Sequence, residues 1–354
     1  MSSYDIAVAV SGGLDSIMAM SLLKDAGHKL LAVHAVFVSG SAARLDGLRR
    51  SCDGLDIPLK IVDLSAVFAQ KVIEPFTAAY ALGATPNPCV TCNREMKFGF
   101  LLEAALGFGA QRLATGHYAR LEYFHSPQGE YLTLGRAADA GKDQAYFLGL
   151  VPPESLKRIE FPLADYHKPD LRAEVERRGL FVPESRESQE ICFIPNDDYR
   201  AFLLTQGITA KSLGPVILPD GRQIGKHSGL WQYTEGQRRG LGLAHHEPLY
   251  VIGKDIVRNA LLVGAKKDLY IKSWRAAELN IHVPPEFWPA EVLARTRYRQ
   301  VAQPAEVEVR DGVAEIVFQT PHERPAPGQL VVIYDQRGLM LAAGIGQAAP
   351  AVRN

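Results

Sequence analysis

Ser11-Gly12-Gly13-Leu14-Asp15-Ser16 separates an apolar, β-branched run, Tyr4 to Val10, from a stretch that places Ile17, Met18, Met20, Leu22 and Leu23 at helical spacing. A strand that turns through glycines into a helix aims consecutive backbone N–H groups and the positive end of a helix dipole at one point, which is a cradle for phosphate. Gly12 and Gly13 permit close approach, and Ser11 and Ser16 add hydroxyl donors. Asp15 is anionic, which suits a phosphate site if it holds Mg2+ on the same phosphates. No Gly-Lys-Ser/Thr follows, so this is not a Walker A loop. A second reactive group is Cys89 and Cys92 within Thr85-Pro86-Asn87-Pro88-Cys89-Val90-Thr91-Cys92-Asn93. The breakers ahead of this Cys-x-x-Cys predict a rigid loop carrying thiols, followed by a helix from Met96 to Leu106. The helix dipole, Arg94 and Lys97 would lower the thiol pKa values. A structural zinc knuckle needs four ligands, and the chain has no second Cys-x-x-Cys. Cys192, in Ser188-Gln189-Glu190-Ile191-Cys192-Phe193-Ile194-Pro195, reads alone as a core residue and becomes a sulfur partner only beside the first pair.

These residues need a scaffold, and the chain supplies one by alternation. Strands are predicted at Tyr4 to Val10, Lys29 to Val38, Leu59 to Val62 and Arg112 to Thr115, with helices between them. The fold class is α/β, a doubly wound parallel sheet covered on both faces. Beyond Pro195 one helix, Asp197 to Gln206, precedes short strands separated by Gly, Pro and Asp-Gly turns. Pro219-Asp220-Gly221 and Asp311-Gly312 read as hairpin turns. A break between Lys266 and Trp274 divides this region into a small middle module and a C-terminal β-barrel. The expected domains are residues 1–196, 197–267 and 268–350.

A length of 354 residues suits two or three domains, and 47% apolar with 22% charged residues suits a folded globular chain. Lys+Arg and Asp+Glu are both 39, so a nucleic-acid partner would have to be met by a local basic face. Four cysteines are too few for a disulfide scaffold. No cationic stretch precedes the first apolar run and no segment has the uninterrupted apolar length of a membrane span, which predicts a cytoplasmic protein without a membrane partner.

The SGGxDS arrangement resembles the pyrophosphatase (PP) loop of the N-type ATP pyrophosphatases, which split ATP into AMP and pyrophosphate while activating a carbonyl oxygen as an adenylate. Downstream come TPNPxxxCN, Lys97-Phe98-Gly99, Ala114-Thr115-Gly116-His117-Tyr118-Ala119-Arg120, Gly141-Lys142-Asp143-Gln144-Ala145-Tyr146-Phe147-Leu148 and SQEICFIP. Asp198 to Leu203, Gly225 to Gly229, Tyr233 to Gly242, Arg297 to Gln300 and Pro327 to Gln329 continue the series. In this order they resemble the bacterial tRNA 2-thiouridylases over essentially the whole chain.

That resemblance implies an adenine nucleotide α hydrolase-like first domain and ATP-dependent sulfur transfer to C2 of the wobble uridine in tRNAs of the Lys, Glu and Gln type. The sulfur would come from a donor protein or inorganic sulfide, and the free protein would be a monomer. Cys92 would attack or cover the activated base, Cys192 would carry sulfur as a persulfide, and the two would form a disulfide on release. Ser11, Gly12, Gly13, Asp15, Ser16, Phe37, Val38 and Gly116 would bind ATP, with Mg2+ at Asp15. Asn87, Pro88, His117, Lys142, Asp143, Gln144, Arg239, Arg297, Tyr298 and Gln329 would contact tRNA. The β modules would clamp the RNA through Arg222, Lys226, Arg238, Arg239, Arg295, Arg297 and Arg299, with the target base extruded from its stack.

Two positions depart from the family pattern. Val38 stands where Met is usual, and Cys89 stands where Asp is usual. Cys89, Cys92 and Cys192 together match the ligand count of a [4Fe–4S] cluster with one open iron, so a cluster mechanism stands level with the persulfide relay. A small-molecule adenylating amidotransferase or ligase, or an idle tRNA-binding protein, would need neither the paired thiols nor, in the second case, the PP loop.

Overall fold

The computed structural model describes residues 3–38, 42–183, 191–208 and 212–347. Ser188, Gln189 and Glu190 of the second cysteine motif lie outside these ranges.

Strand β1 (Tyr4–Ala9) enters the Gly-rich loop and then helix α1 (Leu14–Asp25). Strand β2 (Leu30–Val36) is followed by α2 (Ala42–Gly54), and β3 (Leu59–Asp63) by α3 (Ser65–Phe68), a π-helical turn (Ala69–Ile73) and α4 (Glu74–Ala81). Next come α5 (Pro88–Thr91), a π-helix (Cys92–Leu101) and α6 (Leu102–Gly107), leading to β4 (Ala110–Thr115). A hairpin of β5 (Arg120–Ser126) and β6 (Gly129–Gly135), then α7 (Pro153–Leu156), β7 (Ile159–Glu160), α8 (Lys168–Arg177) and α9 (Tyr199–Thr205) complete this part.

The sheet has the order β3-β2-β1-β4-β7 and its pairings are all parallel. From β1 the chain steps to β2 and β3 on one side and then to β4 on the other, so the switch point lies between β1 and β4, at their carboxyl ends. Alternate residues of β1 serve opposite layers. Ile6 and Val8 pack with Ile17, Met20 and Leu48, while Ala7 packs with Phe98, Leu101 and Leu102. The expected doubly wound sheet is present.

Two expectations need correction. The cysteines do not sit in a loop ahead of a helix: the helix begins at Pro88, so both are helical. Proline at the first helical position has the required φ and loses no hydrogen bond there, so Asn87-Pro88 starts a helix where a rigid loop was expected. The helix expected from Asp197 begins at Tyr199. Asn196 and Asp197 both take φ 55°, and the Asp198 carboxylate caps the helix by accepting from the Ala201 N–H at 2.9 Å.

The middle module is a sheet of β8 (Gly214–Ile217), β9 (Gln223–His227), β10 (Tyr250–Asp255) and β11 (Ala260–Gly264) in the order β10-β11-β8-β9. The last module is built from β12 (Tyr270–Ile281), β13 (Val292–Arg295), β14 (Gln303–Arg310), β15 (Val313–Glu323), β16 (Leu330–Tyr334) and β17 (Met340–Gln347). They close a barrel in the order β12-β15-β14-β13-β16-β17. Asp311 (φ 50°) and Gly312 (φ 74°) join β14 to β15 with the positive dihedrals that a twisted hairpin demands. The barrel packs on the first domain. Leu330, Val332, Tyr334 and Met340 share a core with Tyr146 and Leu148, and the Tyr146 hydroxyl donates to the Leu330 carbonyl at 2.6 Å.

Candidate active site

The Gly-rich loop is shaped by its own serines. The Ser16 hydroxyl donates to the Gly13 carbonyl at 2.9 Å and accepts from the Ser11 N–H at 3.2 Å, and the Gly13 N–H reaches Ser11 Oγ at 3.3 Å. Gly12 takes φ 85°, open to glycine at no steric cost. Gly116 follows β4 across the switch point, where a Cβ would stand 2.8 Å from the Asp15 carbonyl carbon and 2.9 Å from the Ser16 nitrogen. Only glycine lets this segment lie against the start of α1. At the end of β2, Phe37 stacks on Phe68 with centroids 5.2 Å apart and Val38 is 45% exposed. The predicted nucleotide-binding residues therefore gather at the carboxyl end of the sheet.

Asp15 does not stand alone there. Its Oδ1 accepts from the Tyr118 hydroxyl at 2.9 Å and from Lys168 Nζ at 2.6 Å, leaving Oδ2 and a partly exposed carboxylate for a metal ion. Tyr118 is itself held by Gln144, which accepts from the Tyr118 N–H at 3.1 Å and donates its own N–H to the Tyr118 carbonyl at 2.7 Å. Lys168 and Tyr118 escaped the sequence reading because His167-Lys168-Pro169 carries no local sign of chemistry. Lys168 lies 153 residues from its partner.

Cys89 and Cys92 are three residues apart on continuous helical backbone and so share a face. In an α-helix Lys97 would lie about 140° around the axis from Cys92. The π-helix closes its turns by i→i+5 bonding and brings position 97 back over position 92. Lys97 Nζ donates to His117 Nε2 at 3.2 Å, and His117 Nδ1 therefore carries the proton and donates to Thr115 Oγ1 at 2.8 Å. Burial first, and Lys97 second, hold the His117 pKa well below its usual value, so the ring is neutral.

Cys92 is 8% exposed and shares a cluster with Phe68, Phe76, Met96, Phe193 and Ile194. The structure thus brings the segment flanking Cys192 onto the Cys92 helix. Burial drives the Cys92 pKa up to about 11, opposed by Lys97 and reinforced by Cys192 and Cys89. Cys89 is exposed but crowded, and desolvation likewise raises its pKa against the pull of Lys97. The expected lowering of the thiol pKa values is thus reversed, because desolvation outweighs the nearby ammonium. Cys52 is fully buried in another core, where burial takes its pKa to about 11.

A consequence can be measured without any substrate. Lys97 favours the thiolate, so Lys97→Met moves the Cys89 and Cys92 pKa values further up. At a fixed pH near 8 their alkylation by iodoacetamide falls about tenfold, one pKa unit being tenfold in thiolate. Lys97→Arg restores the rate and Cys52 does not respond. Peptide-resolved mass spectrometry reads all three, and equal rates in wild type and Lys97→Met would remove Lys97 from the site.

Several residues expected to touch RNA are turned inward. His117 is 9% exposed. Asp143 is 5% exposed and accepts from the N–H groups of Ala137 and Ala145 at 3.1 and 3.3 Å. Tyr298 lies in a turn after β13, its ring 4.4 Å from that of Phe147 and its hydroxyl donating to the Asp143 carbonyl at 2.9 Å. Arg297 donates to the carbonyls of Arg324 at 2.7 Å and Glu235 at 3.4 Å, which joins the barrel to the middle module. Gln329 donates to the Thr85 carbonyl at 2.6 Å. Arg222 is exposed and pairs with Asp220 two residues away, and Arg295 lies over the rings of Tyr146 and Tyr298. Lys226, Arg238, Arg239 and Arg299 remain exposed, Lys142 is half-buried, and Asn87 and Pro88 flank the start of the cysteine helix.

Three family models match the chain in order: a tRNA methyl transferase HUP domain over residues 4–196, a tRNA methyl transferase PRC-barrel domain over 201–265 and an aminomethyltransferase beta-barrel domain over 271–344. With the PP loop at the switch point, they define a nucleotide-using HUP-domain protein extended by two β modules. The tRNA-specific 2-thiouridylase MnmA of Oleidesulfovibrio alaskensis is 47% identical over 349 residues, covering 96% of this chain and 98% of the relative. Those of Nitratidesulfovibrio vulgaris strain DP4 and Lawsonia intracellularis are 47% and 44% identical, each with the same coverage. The chain belongs to the tRNA-specific 2-thiouridylase (MnmA) family. Among the described residues no helix is long and apolar enough to cross a membrane.

Proposed function

We propose that this protein is a tRNA 2-thiouridylase that adenylates C2–O of the wobble uridine and replaces the oxygen with sulfur carried by Cys192. The observation that carries the reading is the meeting of Cys89 and Cys92 on one helix face with the segment that carries Cys192, which raises the pKa of both helical thiols. In the first step the uridine O2 attacks the α-phosphorus of ATP and pyrophosphate leaves. The terminal sulfur of a Cys192 persulfide then attacks C2, and the C–O bond breaks with AMP as leaving group. The Cys92 thiolate attacks Sγ of Cys192, the bond to the delivered sulfur breaks, and a Cys92–Cys192 disulfide remains. A thiol reductant reopens it.

Ser11, Gly12, Gly13, Ser16 and Gly116 hold the nucleotide in this reading, and Asp15 would hold a Mg2+ ion, which would supply positive charge to the leaving pyrophosphate. Phe37 and Val38 border the adenosine. Asn87, Pro88, Lys142 and Arg239 meet the RNA, while His117, Asp143, Gln144, Arg297, Tyr298 and Gln329 act by holding other residues in place. Residues 1–196 carry the chemistry, and 197–267 and 268–350 grip tRNA in the cytoplasm. No feature of the site favours a [4Fe–4S] cluster on Cys89, Cys92 and Cys192 over the relay. Anaerobically purified protein incubated with ATP, Mg2+, a tRNA transcript and a persulfide donor yields 2-thiouridine on nucleoside mass spectrometry. Absence of that nucleoside, or iron and sulfide bound in proportion to activity, contradicts the reading.

The surface geometry divides the arginines. Arg239→Ala reduces the slope of log affinity for tRNA against log salt by about one, since a phosphate contact and its released counterion are lost. Arg297→Ala leaves that slope intact and instead lowers stability by about 1 kcal/mol through two lost carbonyl bonds. Filter binding across a salt series and thermal melts separate the two outcomes, and a reduced slope for Arg297→Ala would put that side chain on the RNA.

A further inference from the structure

Residues 83–88, which lead from α4 to the cysteine helix, are gripped by both β modules. From the middle module, Lys254 Nζ donates to the Gly83 carbonyl at 2.6 Å and Thr234 Oγ1 lies 3.3 Å from Thr85 Oγ1. From the barrel, the Pro327 carbonyl accepts from the Thr85 N–H at 2.8 Å, and Gln329 holds the Thr85 carbonyl. Both sides come too close for side chains. A Cβ on Gly83, at φ 77°, would stand 2.5 Å from Ile256, and one on Gly328 would stand 3.2 Å from the Thr85 carbonyl.

Lys254 reaches this loop from an interior position. Its side chain is 2% exposed and its partner Glu235 4% exposed, with 3.9 Å between Nζ and Oε2. Burial lowers the Lys254 pKa and raises that of Glu235, and Glu235 Oε2 accepts no hydrogen bond. A buried pair matched this loosely stabilises a fold little, and apolar residues of similar volume would serve stability as well. What an apolar residue cannot do is donate to a backbone carbonyl and so fix where a loop lies.

We propose that Lys254 is a positioning residue for sulfur transfer: anchored beside Glu235, its ammonium holds the Gly83 carbonyl and sets the cysteine helix in register with RNA gripped by the β modules. The inference rests on the thiouridylase reading above and adds the element that aligns thiol and base. Adenylation would use the PP loop, whose hydrogen bonds run among residues 11–16 and do not reach residues 83–88, and so depends on this strut less than sulfur delivery does.

Single turnovers of the full chain, persulfide-loaded and in excess over a tRNA transcript, follow pyrophosphate release and 2-thiouridine formation together. In Lys254→Met, pyrophosphate release stays within about twofold of wild type while 2-thiouridine formation slows about tenfold, as a small misplacement of reacting groups does. Lys254→Arg recovers most of the rate. Slowing of both steps by one common factor, or of neither, overturns the proposal. Should Lys254→Met fail to fold, the double variant Glu235→Gln/Lys254→Met removes both buried charges and is judged by the same ratio. If wild type itself forms no 2-thiouridine, the functional reading fails instead.

Discussion

Cys192→Ser abolishes 2-thiouridine formation, by on the order of a thousandfold or more, while pyrophosphate release in the presence of ATP and tRNA continues. In the proposed reaction the two halves use separate groups. The PP loop stands at the carboxyl ends of β1 and β4, and sulfur delivery would fall to the thiols on and beside the Cys92 helix. A serine hydroxyl cannot carry sulfane sulfur, so the adenylate forms and is not attacked by sulfur. Quenched-flow sampling with parallel pyrophosphate and nucleoside assays reads both steps. Retained thiolation would remove Cys192 from the relay, and loss of pyrophosphate release would show that the two halves are not separable.

Asp15→Ala has the opposite pattern. It removes the carboxylate that would hold Mg2+ at the loop and leaves the Lys168 ammonium without its 2.6 Å partner. Pyrophosphate release therefore falls on the order of a hundredfold or more, the scale for losing one preorganised charge at a reacting phosphate. Asp15 makes no contact with the exposed arginines of the β modules, so tRNA affinity stays within about twofold. Normal pyrophosphate release from this variant would refute the placement of ATP. Weakened tRNA binding would mean that the loop and the RNA surface are one site.

What the sequence disclosed here, and what it concealed, follows from the range of each interaction. The PP loop was legible because strand, glycines, serines and helix are contiguous, and the loop's hydrogen bonds run among residues 11–16. Asp311-Gly312 was legible for the same reason, a two-residue hairpin needing two positive φ values. The cysteine segment misled because Pro88 reads equally as a breaker and as a first helical residue, and only the packing of the following helix decides. The direction of the thiol pKa shift was misjudged because a neighbouring lysine is visible in sequence while the desolvation by Phe68, Phe76 and Phe193 is not. Lys97 was noticed as a nearby charge, but its place over Cys92 depends on a π-helical register that no spacing rule announces. The intramolecular partners of Arg297 and Gln329 were hidden for the same reason, since Arg324 and Thr85 lie 27 and 244 residues away.

Release of sulfur from Cys192 by Cys92 is tested most directly by the state of those two residues after one turnover. Protein loaded with one persulfide equivalent is mixed with ATP, Mg2+ and tRNA without reductant, quenched in acid, digested and examined by mass spectrometry. A Cys92–Cys192 disulfide is expected in equal amount to 2-thiouridine and absent when ATP is omitted. Stoichiometric 2-thiouridine with both cysteines still reduced, or with the disulfide joining Cys89 instead, would contradict it.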